Sequence, residues 1–215
     1  MSYYSDIDYQ YEERVRTVRT AAIILIGWLA AAIALGAAGV YHVSTDAIPT
    51  IQYGILLPIV IGILLLGRSE LVIRILDAVP QEWLVGVQLY RALGIIFLIL
   101  YAQGLLPGLF AWPAGAGDIA VGLLAPIVGL AYARAPRENA GLVRAWNFFG
   151  IFDLIVAVTT GFMTASSALQ PTHVQPTSDL MTLLPMVLIP TFLVPLSIVL
   201  HLASLKKMRR GVAQD

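Results

Sequence analysis

The chain has 215 residues, of which 59% are hydrophobic and only 12% are charged, and its formal net charge is zero. A soluble domain carries about 25% charged residues, so this composition predicts a surface that faces mostly lipid. There is no basic excess of the kind that binds nucleic acid, and the absence of cysteine excludes disulfides, thiol catalysis, iron–sulfur clusters and cysteine-ligated zinc.

Six apolar segments follow one another along the chain, at about 20–41, 50–67, 82–103, 113–133, 144–166 and 181–203. A membrane-spanning helix needs about 20 such residues, and apolar residues at consecutive positions indicate helices, not the alternating strands of a barrel. No signal-type cleavage site follows the polar head, so we expect the first segment to be retained. The predicted fold class is an all-α membrane protein with a six-transmembrane-helix bundle. It comprises an N-terminal segment 1–19, a transmembrane domain 20–205 and a basic tail 206–215.

The basic residues predict one orientation for these spans. Of the 13 lysines and arginines, all but Arg91 lie before span 1, between spans 2 and 3, between spans 4 and 5, or after span 6. The connections near 42–49, 104–112 and 167–180 contain none. The positive-inside rule therefore predicts that both termini are cytoplasmic, in a cell (cytoplasmic) membrane.

A short amphipathic helix is predicted near 69–79, between spans 2 and 3. Glu70, Arg74 and Asp77 recur at positions i, i+4 and i+7, and apolar residues occupy most of the positions between them. This pattern is typical of a helix that lies on the membrane surface, and Pro80 should end it.

Three ionisable residues fall inside the spans. A charged group in a span costs about 2.5–3.5 kcal/mol on insertion scales and usually faces the bundle interior. Arg91 and Asp153 each lie nine residues into their spans from the cytoplasmic side, a depth of about 13 Å. The equal depths predict an Arg91–Asp153 pair, which Asp118 could join from above because a guanidinium can serve two carboxylates.

Neighbouring polar residues extend this predicted centre. Gln88 is one turn from Arg91 on the same helix face, and Asn147 lies nearer the inner end of span 5. The predicted buried polar centre thus comprises Arg91, Asp118, Asp153, Gln88 and Asn147. Two interpretations remain open: an ion network that only fixes helix register, or a relay or binding site for protons, ions or a polar ligand.

Span 6 contains three prolines, Pro185, Pro190 and Pro195. Each removes a backbone donor, so the span is predicted to be a broken helix that either lines a cavity or packs as a bent helix. His201, near its inner end, is a candidate hydrogen-bonding residue, ligand contact or proton-carrying group.

No catalytic residue and no metal site are predicted. His42 and His173 are on the same predicted side, and they are the weak candidates for ligating a metal or haem. No nucleotide-binding or hydrolase motif is present. No cofactor is predicted, although haem and quinone remain open.

The segments Trp112–Pro126, Trp146–Leu154 and Pro190–Leu202 resemble an uncharacterised family of small bacterial multi-pass membrane proteins. The resemblance covers roughly spans 3 to 6. It implies a bacterial setting but no mechanism, and it would make Asp118, Asn147, Asp153 and His201 members of the matching motifs.

Three functions are compatible with the sequence. The first is a small channel or transporter-like bundle that handles protons or a small polar solute through the Arg/Asp centre. The second is an accessory or cofactor-holding subunit of a larger membrane complex, with a purely structural centre. The third is a membrane enzyme acting on a lipid or quinone. The predicted partners are the lipid bilayer and either other membrane subunits or further copies of the chain, but no nucleic acid.

Overall fold

The computed structural model describes residues 2–42, 50–166, 172 and 174–212, and it gives the backbone alone for 2–11, 13, 14, 211 and 212. Its α-helices are α1 (Ser2–Ala37), α2 (Ile51–Arg68), α3 (Glu70–Ala78), α4 (Gln81–Gly86), α5 (Ile95–Ala102), α6 (Gly108–Arg134), α7 (Pro136–Thr164) and α8 (Val194–Val212). Segments Val87–Gly94 and Asp179–Thr182 are 3₁₀ helices, and Ile189–Leu193 is a π turn.

Within these described ranges, six helices are long and apolar enough to cross a membrane. These spans 1 to 6 are Val15–Ala37, Ile51–Arg68, Gln81–Ala102, Gly108–Arg134, Pro136–Thr164 and Ile189–Arg210. The all-helical architecture and the number of spans agree with the sequence prediction. The helices also extend past the predicted domain boundaries, because α1 begins at Ser2 and α8 continues to Val212.

The helix of span 6 begins later than the apolar segment of the sequence. The sequence placed its start at 181, whereas the membrane-length helical segment begins at Ile189. Pro185 and Pro190 explain the difference, since neither can donate a backbone hydrogen bond to the preceding turn. Span 1 ends at Ala37 and not at 41, because the chain reverses at Gly39 with a φ of 70°, where glycine is favoured.

Spans 3 to 6 form the interior of the bundle, whereas spans 1 and 2 lie at its margin. Within the most apolar stretch of each span, 44% of the residues of span 6 are buried. The corresponding fractions are 6% for span 1 and 11% for span 2. The centrally placed α6 packs against span 3 and α7. Its buried face is rich in small residues that allow close helix approach: Ala111, Ala114, Gly115, Gly122, Ala125 and Gly129.

The helix ends that carry Arg68, Arg134, Arg209 and Arg210 meet at one end of the bundle, here named the basic end. Lys206 of α8 donates to the carbonyl of Leu66 at the end of α2. Lys207 donates to the carbonyls of Leu76 and Val79 at the end of α3, both at 2.6 Å. A cation at a helix C-terminus stabilises the helix dipole, so these lysines clamp α2 and α3 onto α8.

The short helix predicted near 69–79 is present as α3. Ser69 caps it by accepting a hydrogen bond from Val72 N at 3.4 Å, and the helix ends before Pro80. Leu76 is buried against the bundle. The location of α3 at a membrane surface remains a prediction.

Candidate functional site

Arg91 lies in the 3₁₀ stretch in the middle of span 3. A 3₁₀ helix has three residues per turn, so side chains three positions apart lie directly above one another. Gln88, Arg91 and Gly94 have this spacing and are all buried, while Leu89 and Leu93 are exposed. Runs longer than three or four residues are uncommon, and this one has eight. The conformation brings the polar residues of span 3 onto one inward face.

The Arg91 guanidinium joins four spans at one point. Its Nε donates to Asp118 Oδ1 at 2.7 Å, and its Nη2 donates to Asp153 Oδ2. Its Nη1 donates to the Gly150 carbonyl at 3.3 Å and lies 3.2 Å from His201 Nε2. The structure therefore brings together Arg91 and both carboxylates. The contact with Asp153 agrees with the equal depths of the two residues, whereas the contact with Asp118 had been left open.

The three charged groups differ in exposure. The side chains of Arg91 and Asp153 are 2% and 7% exposed, whereas that of Asp118 is 15% exposed. A buried charge left without its partner destabilises a protein by about 3–5 kcal/mol. With both carboxylates ionised the group carries one net negative charge, and Asp118 is its most accessible member.

Two glycines allow the helices to close around the centre. A Cβ added at Gly117 would overlap the Asp153 carboxylate, and one added at Gly150 would overlap the His201 ring and lie 3.2 Å from Arg91 Nη1. Small residues permit such approach between helices in a membrane. On these two sides the centre has no room for even a methyl group.

His201 extends the polar centre toward the basic end. The Asn147 amide nitrogen donates to Val143 O at 2.8 Å and to Ser204 Oγ at 2.9 Å, so its oxygen is free to accept. That oxygen lies 2.9 Å from His201 Nδ1, which must therefore carry the proton. Nε2 of the neutral ring then accepts from Arg91. The partners thus select one tautomer of His201.

The buried hydrogen bonds continue to Gln81, whose Nε2 donates to Ser204 Oγ at 2.5 Å. A connected set of polar side chains therefore runs from Asp118 toward the basic end, through Arg91, His201, Asn147, Ser204 and Gln81. Arginine is not deprotonated in proteins. Protons therefore cannot pass along these side chains beyond Arg91.

Gln88 shares the face of Arg91, but it contacts span 6 and neither carboxylate. Its Nε2 donates to Ser197 O at 3.1 Å, and its Oε1 is buried without a partner among the described residues. Tyr90 contacts Ser197 Oγ and donates to Leu193 O at 3.4 Å. Span 3 thus supplies donors to two carbonyls of span 6, one on each side of Pro195.

The sequence pattern did not single out Tyr90, Gln81 or Gln52. A tyrosine in the middle of a span needs a hydrogen-bond partner for its hydroxyl, so a buried contact of Tyr90 could have been predicted from the sequence. Gln81 and Gln52 stand near the starts of spans, where a polar residue is common, and nothing in the sequence distinguished them.

A cavity lies among spans 2 to 6 at the end of the bundle opposite the basic end. This end is named the open end, and the cavity has about 770 Å³ of empty space, part of it open to the surroundings. Its walls are mainly apolar and include Ile55, Phe97, Phe110, Leu154, Val158 and Phe162. Of the polar centre, only Asp118 lines the cavity. Gln52 also lines it, and Gln52 Oε1 is buried without a donor from any described residue.

The start of span 6 forms part of the cavity wall. Ile189 and Pro190 of the π turn and Val194 of α8 line it. Of the two interpretations of the proline-broken helix, the structure therefore favours the one in which it lines a cavity. π turns within helices occur frequently at functional sites.

The proposal that His42 and His173 ligate a metal or haem stays a prediction. His42 is exposed, and His173 lies outside the described residues. In the part of the chain that the structure describes, no three His, Asp or Glu side chains are grouped so as to hold a metal ion.

Comparison with known proteins identifies a family for this chain. The family model described as "Domain of unknown function (DUF8737)" matches residues 48–209, while no curated protein and no solved structure matches the chain. The matched range covers spans 2 to 6, and it includes every residue named above for the polar centre and the cavity. Because the match covers more than half of its length, the chain belongs to the DUF8737 family.

Proposed function

We propose that this chain is an integral membrane protein of a bacterial cytoplasmic membrane, with both termini and the basic end on the cytoplasmic side. The six apolar helices and the restriction of lysine and arginine to alternate connections support this orientation. In this orientation α3 lies at the inner leaflet, and the cavity faces the outer side.

Within that membrane, the protein acts as a small transporter-like bundle that binds its solute in the cavity. One observation carries this proposal: Asp118 belongs to the buried Arg91 centre and also lines the cavity. A solute bound in the cavity can contact Asp118 and so act on the charged side chains that join four spans.

The solute does not pass through the polar centre in this conformation. The close contacts at Gly117 and Gly150 leave no gap there, and Arg91 interrupts a proton path. The apolar cavity walls also disfavour a purely polar solute. In this proposal the protein is in a conformation whose cavity opens on one side, and release to the other side requires movement of the spans.

Cysteine labelling tests this proposal directly, because the natural chain contains no cysteine. Ala157 of α7 lines the cavity, whereas Val143 of the same helix is fully buried near the basic end. In oriented vesicles, a membrane-impermeant methanethiosulfonate should modify Ala157→Cys from the outer side and leave Val143→Cys unmodified. Reaction of Ala157→Cys only from the cytoplasmic side, or no reaction at all, would refute the proposal.

A second candidate function is that of an accessory or cofactor-holding subunit, whose polar centre only joins helices. The contact of Arg91 with both carboxylates, a carbonyl and a histidine favours it. It predicts co-purification with partner subunits and loss of stability without loss of binding when Arg91 is changed. The third candidate, a lipid or quinone enzyme, fits less well because neither His201 nor Asp153 lines the cavity.

A further inference from the structure

We infer that the cavity binds a hydrophobic cation, meaning a primary or secondary ammonium group attached to a small apolar or aromatic body. This inference rests on the proposed function, because it requires the cavity to be a binding pocket. It specifies the class of ligand, which the proposed function leaves open.

The charge at the inner wall of the cavity favours a cation. Arg91 neutralises one of the two carboxylates of Asp118 and Asp153, which leaves one net negative charge when both are ionised. No lysine, arginine or histidine is among the described residues that line the cavity. In a medium of low dielectric, a bound ammonium would be attracted to this unbalanced charge.

The free hydrogen-bonding atoms beside the cavity are acceptors. Asp118 uses Oδ1 to bind Arg91, and no described residue donates to its Oδ2. Gln52 Oε1 is buried and has no donor within the described ranges. A ligand N–H would satisfy either atom, whereas a carboxylate ligand would offer only further acceptors. The inferred head group is therefore a donor as well as a cation.

The walls match the rest of such a ligand. Phe97, Phe110 and Phe162 line the cavity, and the rings of Phe97 and Phe110 meet edge to face with centroids 5.4 Å apart. Aromatic faces attract ammonium groups, and these rings also accommodate an apolar body. A one-ring amine, with its ammonium at Asp118 and its ring among the phenylalanines, has the required chemistry.

Three probes with similar bodies separate the possibilities: phenethylammonium, neutral 2-phenylethanol and anionic 3-phenylpropanoate. Each would be titrated calorimetrically into the full-length protein in lipid nanodiscs, with empty nanodiscs measuring partition into lipid. We expect saturable binding of the cation, at least tenfold weaker binding of the alcohol and no saturable binding of the anion. Equal binding of all three probes, tighter binding of the anion, or no binding of the cation would overturn the inference.

Variants locate the site. Asp118→Asn should weaken binding of phenethylammonium about tenfold or more, and Gln52→Leu about threefold. Asp77→Asn removes an exposed carboxylate that pairs with Arg210 at the basic end, so it should leave binding unchanged. If Asp118→Asn fails to fold, the Gln52→Leu variant and the order of the three probes decide the question. Unchanged affinity in Gln52→Leu together with an unchanged or unmeasurable Asp118→Asn would overturn the inference.

The labelling and binding experiments together show whether only this inference fails or the proposed function fails as well. If Ala157→Cys is modified from the outer side but phenethylammonium does not bind, the cation assignment is overturned and the cavity remains a candidate pocket. If Ala157→Cys is not modified, both are overturned.

Discussion

The two ends of the bundle are built differently. At the basic end, α8 donates from Lys206 and Lys207 to the last carbonyls of α2 and α3, and Gln81 bonds to Ser204. At the open end, the proline-broken start of span 6 lines a cavity. A buried acceptor without a donor among the described residues occurs at both ends, Gln52 Oε1 at the cavity and Gln81 Oε1 at the basic end. The Arg91 centre lies between the two ends. The contrast indicates that one end maintains the assembly of the helices, while the other has space for a ligand.

Among the variants that test this contrast, a substitution of Arg91 should change the free energy of unfolding most. Arg91→Leu leaves Asp118 and Asp153 buried without their cation, so it should lower the free energy of unfolding by about 3–5 kcal/mol. Arg210→Leu breaks an ion pair with Asp77 whose side chains are 38% and 55% exposed, and it should cost less than about 1 kcal/mol. Denaturant unfolding in detergent would measure both, and similar losses would contradict the structural importance of the centre.

Two glycine variants test whether helix contact at the centre is as close as described. Gly117→Ala forces a methyl group against Asp153 and should destabilise the protein by about 1–3 kcal/mol. Gly141→Ala on α7 meets nothing within 4 Å and should stabilise it by about 0.5–1 kcal/mol. The same unfolding experiment compares them. Opposite signs are expected, and a neutral Gly117→Ala would mean that the centre has room to spare.

The contacts of Lys206 and Lys207 at the basic end should contribute less to the stability of the protein than the Arg91 centre does. Lys207→Met removes the donor to the carbonyls of Leu76 and Val79, and we expect a loss of about 1 kcal/mol. Arg209→Met changes an exposed neighbour on the same helix and serves as the control. Hydrogen exchange should also quicken in α3 for Lys207→Met alone. Unchanged exchange there would show that the clamp does not hold α3.

The smallest effect on stability is expected at the open end, where binding and not folding should change. Ala157→Phe adds a ring to the cavity wall, so the free energy of unfolding should change by less than about 1 kcal/mol because the space is already open. Calorimetry should show that this variant no longer binds phenethylammonium. A large loss of stability would indicate that the cavity is tightly packed in solution.

The sequence predicted the spans well where only hydrophobic length mattered and less well where proline intervened. Spans 2 to 5 were found because about 20 consecutive apolar residues have few stable alternatives to a membrane helix. The start of the span 6 helix did not follow from hydrophobicity, because residues 181–188 are as apolar as a helix. They do not form an α-helix, since Pro185 and Pro190 each lack a backbone donor.

The polar centre was predictable in part. The pairing of Arg91 with Asp153 could be predicted from their equal depths, because each span has to place its ionisable group inside the bundle. The partner of Gln88 was not predictable, since it depends on how the 3₁₀ stretch faces the broken helix of span 6. Likewise, the orientation of His201 toward both Asn147 and Arg91 follows from the rotation of three helices about their axes.

By itself, the sequence determined the all-helical class, the number of spans and the three charges that must lie inside. These follow from the cost of exposing polar groups to hydrocarbon, which each segment incurs independently of its neighbours. Only the tertiary structure decided which carboxylate lines a cavity and which is enclosed, because that depends on the packing of one helix against another. Asp118 and Asp153 are the same residue type in similar helices, and the close contact at Gly117 and the open wall near Pro190 give them different surroundings.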